Sequence, residues 1–300
     1  MAVISVEQKI NLKPKQGIVK KNLAWLGLLP FILFCGAFEL LPMGFMLVGS
    51  FLDTKKGTFT LSNYQDALTK PFYLNAFLNS IYVSLITAGV GTILGGLIAY
   101  SALTSRRSWV RSGVITLSNV TANFAGVPLA FAFVATLGST GLVSVFLEKS
   151  MGIDFFSKES NLYKFGGLCL VYIYFQLPLM VLLITPALKG LRREWHEAAA
   201  SLGASIWQYW RHIGLPVLFP ALAASFVLLM ANAFGAYATV YALAQGYINL
   251  TPIQIGFLIN GDVALNTGLA NALATLMIVL MAGMLFAYQQ LNKRSRRWIR

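Results

Sequence analysis

Ten carboxylates and two histidines are all that 300 residues offer for acid–base or metal chemistry. His196 and His212 stand far apart in sequence, with no carboxylate or cysteine pattern beside them, so their spacing does not make a metal site. Cys35 and Cys169 sit in separate apolar runs and read as small buried hydrophobes. No Gly-Lys dipeptide occurs, which excludes a phosphate-cradling P-loop. No Ser–His–Asp arrangement is recognisable. Glu39 is the one charged residue well inside an apolar run. An acid at mid-bilayer costs about 2.5–3.5 kcal/mol on insertion scales, so Glu39 is expected to face protein or water, or to be protonated. It is either an anionic spot beside a cationic solute or a buried contact with a partner surface or a Ser/Thr; the second is preferred. Asn119, Asn123, Gln176, Asn232, Tyr237 and Tyr241 also interrupt apolar runs, and Asp262 lies in a Gly-punctuated stretch. These seven could line a polar path; the six in apolar runs could equally make interhelical hydrogen bonds, worth about 0.6 kcal/mol each on average.

The elements that position these residues follow from composition. Hydrophobic residues make up 57% of the chain and charged residues 11%; the mean hydropathy is +0.68. A water-facing surface needs far more charge than that. The balance excludes a soluble enzyme, a disordered chain and a secreted disulfide scaffold. The expected fold class is an all-α membrane protein. Six stretches reach the roughly 20 apolar residues that a bilayer core requires: Leu23 to Leu52, Ala76 to Leu103, Gly113 to Leu137, Phe165 to Leu188, Gly214 to Tyr237 and Gly268 to Leu291. The domain reading is a basic N-terminal segment over 1–22, a six-span domain over 23–291 and a basic tail over 292–300. The N-terminal segment is polar and basic throughout, unlike a cleavable signal peptide.

The formal charge of +13 lies in short clusters between the apolar runs. With both termini in the cytoplasm, the clusters around Lys20 and Lys21, Arg106 and Arg107, Arg192 and Arg193, and Arg296 and Arg297 all fall inside, as the positive-inside rule asks. The same clusters suit contact with anionic lipid better than nucleic acid. Segments 53–75 and 138–164 are polar enough to lie outside and to carry short surface helices. Segment 238–267 is apolar but broken by Gly and Pro252, which suits a re-entrant segment covered by protein better than a seventh span.

The segment between the fourth and fifth stretches, 189–213, stands apart. Glu194 to Leu202 holds good helix formers including an alanine triplet, and Gly203 follows where a helix would stop. Ile206, Tyr209, Trp210 and Ile213 then recur at helical spacing, and Pro216 sits near the start of the fifth stretch. The pattern predicts two short helices joined at a bend on the cytoplasmic face.

In this segment the chain resembles the inner-membrane permease subunits of binding-protein-dependent ABC importers, of the six-span MetI-like type. Their signature E-A-A-x3-G-x9-I-x-L-P is matched by Glu197, Ala198, Ala199, Gly203, Ile213, Leu215 and Pro216. Shorter likenesses lie at Leu61-Ser62-Asn63-Tyr64, Asn79-Ser80 and Gly261-Asp262, in the manner of the polyamine, ferric-iron and phosphonate branch. The resemblance implies coupling helices that dock on a separate ATP-hydrolysing subunit. Glu197 would make a polar contact there, and Gly203 would set the angle of the bend. It implies no cofactor on this chain, since ATP and magnesium would sit on the partner ATPase. It further implies two ATPase subunits, a second permease (a different chain rather than a copy), a periplasmic solute-binding protein, and residence in the bacterial inner membrane. A polyamine-like cation is the first expectation for cargo, with ferric iron, a phosphonate or another small solute as alternatives. A secondary transporter or channel subunit without an ATPase remains the competing class; it predicts inverted repeats or charged mid-membrane pairs.

Overall fold

The computed structural model describes residues 27–152, 161–244, 247–261 and 265–299. The basic segment 1–22 and Asp262 lie outside them. The chain divides into two compact units, Met1–Phe45 and Met46–Arg300.

Twelve helices are used below. They are α1 (Leu29–Gly49), α2 (Ser62–Thr69), α3 (Pro71–Thr104), α4 (Ser108–Ala122), α5 (Val127–Leu137) and α6 (Leu142–Met151). Then come α7 (Phe165–Lys189), α8 (Arg193–Ser201), α9 (Ile206–Phe234), α10 (Tyr237–Ala244), α11 (Thr251–Asn260) and α12 (Thr267–Ile299). Six helical stretches are long and apolar enough to cross a membrane: α1, α3, Val127–Met151, α7, α9 and the Thr267–Lys293 part of α12.

Two details of the expected layout change. The stretch from Gly113 to Leu137 is two helices, not one. Asn119 and Asn123 each turn their Nδ2 back onto a carbonyl of their own helix, on Ile115 at 3.0 Å and Asn119 at 2.8 Å. Gly126 then takes φ +73, which only glycine adopts cheaply, and Pro128 restarts the helix. The third membrane-length stretch is therefore displaced toward Met151. At the other end of the chain, α12 runs on to Ile299 without a break, so the basic tail continues the last helix.

The centre of the second unit is α7 against α3. In lipid, helices gain little from hydrophobicity and associate by close packing of small residues. Gly91 and Gly95 supply that surface on α3. A Cβ on Gly95 would lie 2.7 Å from Met180 Cβ, and one on Gly91 would lie 3.1 Å from Gln176 Cβ. Between them, the Gln176 side chain is fully buried and its Nε2 donates to Thr87 Oγ1 at 2.9 Å. Ala88, Met180, Ile184, Leu218 and Leu229 continue this core toward α9.

The apolar segment 238–267 is folded in, as α10 and α11. Val240, Leu243, Leu250 and Ile253 are buried in one core with Leu129, Tyr172 and Phe175. Two of the three short sequence likenesses, those at 61–64 and 79–80, prove to be staples. Asn63 Nδ2 donates to the carbonyls of Ser50 and Leu52, and the Tyr64 and Ser50 hydroxyls lie 2.7 Å apart. Asn79 Nδ2 donates to the Asn249 carbonyl at 3.1 Å, and Ser80 Oγ accepts the Thr251 amide at 2.9 Å. They tie the first outer loop and α11 to the membrane helices.

Candidate functional site

The helix α8 ends at Ser201 because the next residues close it. Gly203 takes φ +78. Its amide donates to the Ala200 carbonyl at 3.0 Å, and the Ala204 amide reaches back to the Ala199 carbonyl at 3.0 Å. This pair of bonds is a Schellman closure, and it satisfies carbonyls that a helix end would leave bare. Only two residues later Ser205 opens α9. Its Oγ accepts the Gln208 amide at 3.3 Å, and Gln208 Oε1 accepts the Ser205 amide at 2.7 Å. This reciprocal capping box was readable as Ser-x-x-Gln. The bend is thus fixed on both sides within four residues, 202–205. Across it, the His196 and Tyr209 rings meet edge to face at 5.0 Å.

The expected second short helix is instead the first turns of the fifth membrane stretch. Residues Trp210–Gly214 form a π-turn, and Leu215 donates to the Trp210 carbonyl. The cause is Pro216, whose ring would clash with the carbonyl four residues back in a regular α-helix. The same device recurs in α1, where π-turn Gly36–Leu40 precedes Leu41-Pro42. Gly214 is required inside the second turn, because a Cβ there would lie 2.5 Å from the Trp210 ring. The bend is therefore continuous with α9.

The elbow presents an unusual surface. Ala199 is buried, but Leu202 is 88% exposed and Ile206 and Trp207 are each 66% exposed. Glu197 and Ala198 are exposed, and Glu197 Oε1 accepts from Arg193 Nε at 2.9 Å. Such an open ion pair contributes roughly 0–1 kcal/mol and leaves the carboxylate free to exchange partners. Trp195, Ala198, Ala199, Leu202, His212 and Ile213 line a cavity of about 530 Å³ in the crook of the bend. Leu215 and Pro216 are exposed at the head of the membrane part of α9.

The path candidates are not all together. Gln176 takes the interhelical alternative, buried as described, and so does not line an open path in this conformation. Asn119, Asn123 and Asn232 are exposed. Tyr237 and Tyr241 are 37% and 47% exposed and stack at 5.3 Å on α10. The Gly126 amide donates to Thr239 Oγ1 at 3.0 Å, which sets α10 beside the break that follows Asn123. Nothing in the sequence pattern marks Thr239 for this role. Glu39 lies in the first unit, in the π-turn, and is exposed on the isolated chain.

Six membrane-length helical stretches among the described residues, with one of them extended into a bent arm, define a multi-pass membrane protein. The chain belongs to the family of inner membrane components of binding-protein-dependent transport systems, whose model matches residues 91–297. It is thus a multi-pass inner-membrane component of a binding-protein-dependent transport system. It is 27% identical over 271 residues to a ferric transport system permease protein, FbpB 1, of Haemophilus influenzae, covering 89% of this chain and 41% of that one. The chain thus spans less than half the length of that relative. It is 29% identical over 249 residues to the sulfate transport system permease protein CysW of Escherichia coli K12, covering 80% of this chain and 79% of that one. The fold is similar to a chain of a bacterial ABC transporter that imports the acidic polysaccharide alginate, with TM-score 0.70 and 21% identity over 93% of this chain and 97% of that one. It is also similar to a chain of the inward-facing methionine ABC transporter MetNI, with TM-score 0.55 and 16% identity over 76% of this chain and 96% of that one.

Proposed function

We propose that this chain forms half of the pathway of an ATP-driven importer and that its elbow, 193–214, is the lever gripped by a separate ATPase. The observation that carries this reading is the elbow itself. A bend locked by two independent caps exposes Leu202, Ala198 and Glu197, and none of the three is needed for the chain's own core. Holding apolar Leu202 in water has no folding benefit, whereas a partner groove would bury it. Glu197 would exchange Arg193 for a group on the ATPase, and the exposed Ala198 would allow close approach. The continuity of elbow and α9 would then carry a push on the bend directly into a membrane helix, an element biased between two states by its partner.

The assembly we infer has two such ATPase subunits, which hold the ATP and magnesium, a second and different permease chain, and a solute-binding protein at the outer face. For cargo we propose a small inorganic ion. The support is the ferric and sulfate relatives. The polyamine expectation has no counterpart among these relatives and gives way to it. Asn123, Asn232, Tyr237 and Tyr241 are the exposed polar groups proposed to face the cargo, with Asn119 beside them.

Co-purification of the solubilised complex tests the lever. Glu197→Ala removes only an exposed ion pair from this chain, so folding should stand while ATPase recovery falls. Full ATPase binding and full transport in Glu197→Ala and Leu202→Asp together would overturn the assignment.

A further inference from the structure

A second concave site lies beside the elbow, and Glu197, Ala198 and Leu202 are not among its lining residues. It is a cavity of about 400 Å³ between the end of α3, the start of α4, the end of α7 and the bend. Arg111, Lys189, Arg192, Arg193 and His196 all line it, and no carboxylate does. Arg193 has Glu197 as its counter-ion. Arg192 lies 6.0 Å over the Trp195 ring. Arg111 and Lys189 have no ion pair or hydrogen bond among the described residues. Positive charges drawn from three helices around one hollow repel each other unless an anion sits among them.

An apolar groove adjoins the hollow. That groove has a volume of about 630 Å³ and runs along α3, α7 and α9. Ile93, Leu97, Gly96 and Leu222 line it, with Ile93 65% and Leu97 57% exposed. The two cavities share Tyr100, Leu188, Ile206 and Trp210, so they are immediate neighbours. Tyr100 and Trp210 form the junction, edge to face at 5.0 Å, and the Tyr100 hydroxyl has no hydrogen-bond partner among the described residues. An inorganic anion would satisfy the basic hollow and leave the groove bare. A neutral lipid would fill the groove and leave the charges unanswered.

We propose that this composite site binds one anionic phospholipid, its phosphate held by Arg111, Lys189 and Arg192 and an acyl chain laid in the groove past Gly96. Basic pockets between membrane helices at the cytoplasmic side are suited to such headgroups. The lipid would touch α3, α4, α7 and the arm at once, so its presence would hold the elbow's root in one position. Lipid binding at these residues does not depend on the ATPase reading; only its consequence for coupling does.

Native mass spectrometry of the full chain with its co-purifying partners, after exchange into phosphatidylcholine with or without phosphatidylglycerol, is the test. Wild type should retain phosphatidylglycerol. Arg111→Gln/Lys189→Gln should bind it about 10- to 30-fold more weakly, the loss of two juxtamembrane charges. The control Lys55→Gln/Lys56→Gln removes the same charge from the exposed 53–61 loop, away from the hollow, and should bind as wild type. Gly96→Leu should also weaken binding; a Cβ there meets nothing nearer than 3.9 Å, so the backbone accepts it. Inorganic phosphate alone should not displace the lipid. The proposal is overturned if the Arg111/Lys189 variant retains lipid fully, if the control loses as much, or if phosphate competes as well as lipid. It is equally overturned if Ile93→Cys cross-links to a second protein chain across the groove.

Discussion

The Ala204 amide donates to the Ala199 carbonyl at 3.0 Å across Gly203, whose φ of +78 no side chain enforces. A Cβ on Gly203 would meet nothing within 4 Å, so the position is a matter of backbone conformation alone. The angle of the arm therefore rests on one residue's tolerance for the left-handed region.

Gly203→Val should cost about 1–2 kcal/mol at the bend, the left-handed penalty for an L-residue. Gly203→Asn should cost much less, because Asn tolerates that region. Membrane insertion should be equal for both. Recovery of the ATPase on the solubilised chain should fall for Val and stay near wild type for Asn. If Val and Asn behave alike, the backbone argument fails.

Gly95 and Gly89 lie on one helix with opposite expectations. A Cβ on Gly95 meets Met180 Cβ at 2.7 Å, whereas one on Gly89 meets nothing. Overpacking a tight contact typically costs about 1–3 kcal/mol, so Gly95→Ala should lower the melting temperature in detergent. Gly89→Ala should leave it unchanged or slightly raised, since Ala is the better helix former.

Asn63→Ala should destabilise the outer cap by about 1–3 kcal/mol. It deletes the donor to two carbonyls, Ser50 and Leu52, in a buried setting. Proteolysis of the 53–61 loop should quicken, with the elbow's behaviour untouched.

The loop has its own pH dependence. The backbone amides of Lys56 and Lys55 donate to Asp53 and hold its carboxyl below the usual aspartate range. A depressed folded pKa gives stabilisation that is present above the unfolded value and lost as pH falls through the folded one. Amide exchange at Lys55 and Lys56, corrected for its intrinsic pH dependence, should therefore quicken only below the ordinary aspartate pKa. Asp53→Asn should abolish that acid step. An acid step that survives Asp53→Asn would assign it elsewhere.

Much of this was legible in the residues. The six apolar stretches survive because length and hydropathy are properties of a whole segment. The bend was legible at Gly203, since the αL stop has a residue signature. The break at Asn123–Gly126 was not, because Asn119 and Asn123 are compatible with a membrane helix until their side chains are seen bonding back to their own turns. The π-turn before Pro216 was also hidden: proline at the start of a helix reads as permitted, and nothing marks that the short helix begun at Ile206 runs on through it into the membrane stretch. Gln176 and Asn232 look alike in sequence; only packing against Thr87 and Gly91 buries the first.

Site-directed labelling at the elbow tests the central claim most directly. With Ala198→Cys or Leu202→Cys in an assembled, transporting complex, a membrane-impermeant maleimide applied from the cytoplasmic side should fail to react, and a short bifunctional cross-linker should join the cysteine to the ATPase subunit. Full maleimide labelling of both positions while transport continues, with no cross-link formed, would contradict the account.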